Sequence, residues 1–109
     1  MRILAIIRYK PTVTREDVSD LILPEERTAW RQYLDGFVRE IYVAGDESAT
    51  DARTIVVALL EADDIPGARD RMDEFPMIYE GFVEVEYIEL EPFVYWEQLF
   101  REAERSRDD

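Results

Sequence analysis

Two short segments put apolar residues on both sides of what has to be a β-strand. "RILAIIRY" (Arg2 to Tyr9) sets Leu4 and Ile6 against Ile3, Ala5 and Ile7, and "RTIVVALLEA" (Arg53 to Ala62) is apolar all round. Their β-branched content and the turn signals that bound them mark both as strands. An antiparallel sheet with helices on one face and water on the other alternates cleanly between apolar and polar side chains. These strands do not alternate, so something has to cover the second face. A chain of 109 residues has room for one domain and a small core, and nothing to spare for a second layer. The simplest cover is another copy of the same sheet, which predicts a homodimer with two sheets facing one another as a barrel.

The other elements complete that sheet. Thr14 with Asp17 is a capping-box start for a helix, with Val18, Leu21 and Ile22 on its buried side. Pro24 suits the first turn of a renewed helix in which Trp30, Tyr33, Leu34 and Phe37 recur at helical spacing, and Gly36 is its C-terminal cap. "VREIYVAGD" (Val38 to Asp46) is a second strand, and "ESATDA" a polar loop before the third. A second helix over about Asp64 to Phe75 presents Ile65, Ala68, Met72 and Phe75 on one side. "EFPMIYEGFVEVEYIELEPF" (Glu74 to Phe93) holds the fourth strand. From Phe82 onward, Val83, Val85 and Tyr87 take one face and Glu84 and Glu86 the other, while Glu89 and Glu91 fall where the strand leaves the sheet. "FVYWEQLFREAE" then opens an amphipathic helix over 93–105 with Trp96, Leu99, Phe100 and Ala103 on one side, placed to clamp a pocket mouth or a neighbouring subunit.

The predicted fold is α+β: a ferredoxin-like βαββαβ unit with an antiparallel sheet and an added C-terminal helix, one domain over residues 1–109, paired into a dimeric α/β barrel. Composition narrows the function classes. Acidic residues outnumber basic ones 26 to 13, and no basic cluster offsets the net charge of −13. The expected partners therefore exclude nucleic acid and anionic membrane surfaces. Cysteine and histidine are both absent. Neither a thiolate nucleophile nor a zinc-thiolate or histidine-ligated haem site is available, and acid–base work falls to carboxylate, tyrosine or lysine. "GDESATD" (Gly45 to Asp51) misses the calcium-loop template, so no metal and no cofactor is expected. The first apolar run is too short for a signal peptide or a membrane span, which predicts a cytoplasmic protein.

Two stretches carry a resemblance. "LPEERTAWRQYLDGFVREIYVAGD" (Leu23 to Asp46) and "MDEFPMIYEGFVEVEYIELEP" (Met72 to Pro92) resemble the muconolactone isomerase-like proteins of the dimeric α/β-barrel group. The first matches a helix, a glycine turn and a strand closing on Gly-Asp; the second has a proline ahead of the last strand. The resemblance implies a dimeric barrel, in a group that holds a lactone isomerase and many members without an assigned activity, with cofactor-independent oxygenases and cyclases among related barrels. It also implies an acidic helix residue near the site, close to Glu26.

Candidate site residues follow. Stepping by four along the helix, Glu26 shares a stripe with Ile22 and Trp30, and then with Tyr33 and Phe37. A carboxyl held against aromatic rings loses hydration and can pass protons near neutral pH, whereas an acid in a first helical turn also simply suits the macrodipole. Arg8 shares a face with Leu4 and Ile6 and is expected to approach Glu84 or Glu86, either as an anchor for a substrate carboxylate or enolate or as a cross-strand ion pair. Tyr9, Tyr33, Tyr42 and Tyr79 are candidate donors to an oxyanion, with Trp30 shaping the pocket. The expected function is a cofactor-independent isomerase or cyclase moving a proton on an apolar, oxygenated metabolite, with Glu26 and Arg8 catalytic. The alternatives are a non-catalytic binding or assembly module and an oxygenase on the same fold.

Overall fold

A computed structural model of the chain describes residues 1–45 and 54–108. The expected polar loop and the first residue of the expected third strand, Arg53, lie outside the described residues. The order of elements is β1 (Arg2–Tyr9), α1 (Arg15–Val18), a 3-10 turn (Ser19–Leu21), α2 (Ile22–Leu34), β2 (Val38–Ala44), β3 (Ile55–Glu61), α3 (Ile65–Met72), α4 (Pro76–Tyr79), β4 (Val83–Leu90) and α5 (Trp96–Asp108). The four strands form one antiparallel sheet in the order β2-β3-β1-β4, compatible with the ferredoxin-like arrangement.

Local chemistry explains where the helices begin and end. Thr14 caps α1 by a reciprocal pair of bonds with Asp17: the Thr14 N–H donates to Asp17 Oδ2 (2.8 Å) and the Asp17 N–H to Thr14 Oγ1 (3.3 Å). α2 ends at a glycine in the left-handed region, Gly36 (φ 83°), whose turn lets the Phe37 N–H reach back to the Gln32 carbonyl (3.0 Å). α4 closes the same way: Gly81 has φ 81°, and the Phe82 N–H donates to the Met77 carbonyl (3.0 Å). Each of these turns feeds a strand, β2 after Phe37 and β4 after Phe82.

The segment expected as one helix over about Asp64 to Phe75 ends at Met72, and a separate turn of helix, α4, follows. Pro76 is the reason. It forces the residue before it, Phe75, into an extended conformation (φ −72°, ψ 123°), then starts α4 with a φ already suited to a helix. The fourth strand accordingly starts only at Val83. It runs on through Glu89, which pairs with Ile3 inside the ladder. Only Glu91 lies past its end.

All the core is on one face of the sheet. Ile3 and Ala5 of β1, Ala58 and Leu60 of β3 and Val38 of β2 pack with Ala68 and Met72 of α3, with Phe37 and with Phe75. Val18 of α1, Met77 of α4 and Val83 of β4 make a second cluster on the same side. On the opposite face Leu4, Ile6, Val57 and Leu59 form the centre, paired across β1 and β3 and only part-buried, while Ile88 and Tyr42 beside them are exposed. The expectation of apolar side chains on both faces therefore holds. Val83, Val85 and Tyr87 face the helices, with Glu84 and Glu86 on the other side, as the alternation required.

Candidate functional site

The face of α2 that is buried is not its greasiest one. Thr28 and Gln32 are buried, Glu25 and Ala29 are part-buried, and Ile22, Trp30, Tyr33 and Leu34 are exposed. The buried stripe thus steps through 21, 25, 28 and 32, one residue out of phase with the stripe expected from the aromatics. Its donors are matched, while the Gln32 side-chain oxygen is buried without a hydrogen-bond partner. The Thr28 hydroxyl donates to the Pro24 carbonyl (3.0 Å), and the Gln32 amide donates to the Arg71 carbonyl (2.7 Å), tying α2 to α3. Trp30 and Tyr33 stack on each other at 5.6 Å on the outside of the helix instead of lining a pocket.

That phase makes Glu25 the carboxylate of interest. It points under α2 to the start of α4, where its Oε1 accepts the Met77 N–H (3.0 Å). A cavity of about 410 Å³ opens here between α2 and the helix-covered face of the sheet. Its walls are mostly apolar, including Ile7, Val56, Phe75, Met77 and Val83, and its polar lining is Glu25, Glu26, Tyr9 and Thr54. Burial pushes the Glu25 carboxyl up to about 7, against the smaller opposing effect of the Met77 hydrogen bond. Tyr9 is raised above the ordinary phenol value, first by burial and then by the Glu25 charge, so it stays a proton donor throughout the neutral range. Its hydroxyl donates to the Met77 sulfur at 3.5 Å, a weak acceptor that a ligand oxygen would readily replace. A proton carrier poised near neutrality and a protonated hydroxyl donor therefore share one apolar cavity.

Of the expected site residues, the structure brings Tyr9 and Glu26 to this cavity, Glu26 at its exposed rim. Arg8 is on the opposite face of the sheet, facing Glu84 in the register and paired with Glu86 at 3.6 Å; both its side chain and that of Glu86 are about half exposed. The expected approach of Arg8 to these glutamates is thus present, and the sheet itself separates all three from Glu25. Tyr42 lies on that same outer face, on the edge strand, where its hydroxyl donates to Glu40 (2.8 Å). Tyr79 is 78% exposed on α4. Glu25 was missed because its neighbours in the buried stripe are polar, and helical phase is ordinarily read from apolar residues. The usable signal was the run of small and polar residues at 25, 28, 29 and 32, which lets α2 sit close to the sheet.

Among the described residues no group of three or more carboxylates could hold a metal ion, and no helix is long and apolar enough to cross a membrane. No family model and no curated protein matches the chain. Among solved structures, a hypothetical Arabidopsis thaliana protein determined in solution aligns over 84% of this chain and 86% of its own, with 16% identity and a TM-score of 0.44.

Proposed function

We propose that two copies of this chain pack sheet to sheet as a dimeric α/β barrel, and that the cavity of each binds an apolar, oxygenated small molecule on which Glu25 moves a proton. The resemblance to muconolactone isomerase-like proteins supports an isomerase or cyclase of that kind. The observation that carries the reading is the Glu25 carboxyl inside an apolar cavity, held near 7 by burial. A base with that affinity is half ionised at neutral pH, so it can both take a proton and return it.

The step would run as follows. The Glu25 carboxylate removes a proton from a carbon next to a ligand carbonyl, the C–H electron pair moves into the carbonyl system, and an enolate forms. The Tyr9 hydroxyl donates a hydrogen bond to the enolate oxygen. Protonated Glu25 then delivers the proton to a second carbon of the same conjugated system, which isomerises the ligand with no external acid, base or oxidant. Arg8, on the far side of the sheet, takes no part in this scheme and instead pairs with Glu86 inside the dimer.

A non-catalytic binding module is the second reading, and the bond between Glu25 and Met77 favours it, because that bond also serves to anchor α4. Exchange of carbon-bound hydrogen in heavy water separates the two. A panel of small lactones and conjugated ketones is incubated with the protein and followed by NMR. Catalysed exchange that falls by roughly a hundredfold or more in Glu25→Gln supports the enzyme. Binding to the cavity with no exchange for any member of the panel supports the module.

A further inference from the structure

The segment that leads into α5 and the first turns of α5 carry large apolar side chains that the described residues leave mostly in water. Phe93, Val94, Tyr95, Trp96, Leu99 and Phe100 are each between 58% and 70% exposed. Phe93 sits against Tyr95 and Trp96, with ring centroids 5.4 Å apart in both cases, so these side chains form a cluster of their own. The chain measures 68 × 27 × 21 Å and has a Cα radius of gyration of 18.6 Å. A compact chain of this length would have about 13 Å. α5 is an arm reaching away from the body.

The area at stake is large. A buried aromatic side chain covers about 150–250 Å², so the four rings of the arm leave on the order of 400–600 Å² of mainly apolar surface in water. Monomers rarely expose contiguous apolar patches above a few hundred Å², and a stable interface takes about 800 Å² from each partner. One arm supplies more than half of that.

A matching surface is on the same chain. Ile22, Trp30 and Tyr33 of α2 and Ile41 and Val43 of β2 are 38%, 62%, 52%, 45% and 46% exposed. Ile22, Ile41 and Val43 also line the cavity, so its open side lies between α2 and the β2 edge. The arm of the same copy is badly placed to close it. β4 pairs Leu90 with Arg2 at one end of β1 and Val83 with Tyr9 at the other. The cavity holds Tyr9 and Val83, whereas the arm departs after Leu90. β4 and β2 are also the two opposite edges of the sheet.

We propose that the arm is exchanged between two copies: α5 of one chain lies over the groove between α2 and β2 of the other, and Trp96, Leu99 and Phe100 close the mouth of its cavity. The occupant is a second copy because one chain carries both halves of the contact, and a two-fold axis then buries two arms and two mouths at once. Each site is completed by the other chain. The proposal uses the two-fold symmetry of the dimer proposed above and is independent of whether the cavity is catalytic.

The chain has no cysteine, so introduced ones report cleanly. Leu99→Cys in a copy with one tag is co-expressed with Ile22→Cys, Ile41→Cys or Val43→Cys in a copy with another, and the full-length proteins are oxidised. The expected result is a disulfide-linked dimer carrying both tags for at least one pair, lost when Phe100→Glu is added to the arm. In the double variant Leu99→Cys/Val43→Cys, a disulfide closing within one chain would overturn the exchange, as would no disulfide for any pair. Sedimentation of the unmodified protein runs alongside. A dimer without cross-links leaves the sheet-to-sheet pairing standing and removes the exchanged arm; a monomer removes both.

Discussion

Replacing Glu25 by glutamine ought to make the protein more stable, and only above a certain pH. Burial raises the Glu25 carboxyl from 4.5 to about 7, so between those values the native state holds a proton that the unfolded chain has released. Where the native state binds more protons, stability falls as pH rises. The contribution of Glu25 is thus fully present below about 4.5, declines through the window up to 7, and is gone above it. A shift of that size at about 1.4 kcal/mol per pH unit amounts to about 3 kcal/mol. Glutamine never ionises, and its amide oxygen can still accept the Met77 N–H. The two proteins should therefore match in stability near pH 4.5, with Glu25→Gln ahead by about 3 kcal/mol at pH 8. Urea denaturation at one protein concentration, repeated across this range, reads the difference directly, and titrations shared by both proteins cancel from it. A stability difference that does not change with pH would overturn this, because it would mean that the carboxyl titrates alike in the folded and the unfolded chain.

Four further outcomes follow. Tyr9→Phe should leave the fold intact and lower any proton-transfer activity on the cavity's ligand by at least tenfold, read as a loss in kcat with little change in KM, since a phenol that stabilises only the enolate acts after binding. Gln32→Ala should cost about 2–4 kcal/mol in urea denaturation, since it opens a cavity at a fully buried position and removes the side-chain bond that ties α2 to the Arg71 carbonyl, which keeps only backbone donors such as the Glu74 N–H. Gly36→Ala should cost about 1–2 kcal/mol, a purely backbone effect, because an added Cβ would meet nothing closer than 3.9 Å and only the positive φ resists it. Leu59→Asp, at the centre of the outer sheet face, should shift the sedimentation coefficient from dimer to monomer at micromolar concentration while circular dichroism stays unchanged; a dimer that survives it would place the interface elsewhere.

Much of the architecture was legible because the periodicities of strands leave little choice. β1 occupies the residues expected of it, from Arg2 to Tyr9, and the alternation after Phe82 told correctly which side of β4 meets the helices. Proximity across the sheet was legible too, since antiparallel pairing of β1 with β4 sets Arg8 opposite Glu84. The site was not. Reading α2 by its aromatics put Ile22, Trp30 and Tyr33 inside, where the structure has Thr28 and Gln32. The close approach of α2 to the sheet and to α3 is satisfied by small and hydrogen-bonding side chains, and its large apolar residues are left outward for something else to cover. The same inversion moved the buried acid from Glu26 to Glu25. A helix whose greasy side faces out gives a false phase whenever burial is inferred from hydrophobicity alone. α4 was hidden for a different reason: a single turn has no periodicity to detect, and only the Phe75-Pro76 step announces it.

The proposed function depends on one carboxyl being stripped of water inside an apolar cavity. The most direct measurement is an NMR titration of the glutamate side-chain carboxyl carbons in uniformly labelled protein, with Glu25 assigned by comparison with Glu25→Gln. A midpoint close to 7 is the predicted result. A midpoint in the ordinary range near 4.5 would contradict it and leave Glu25 as no more than an anchor for Met77.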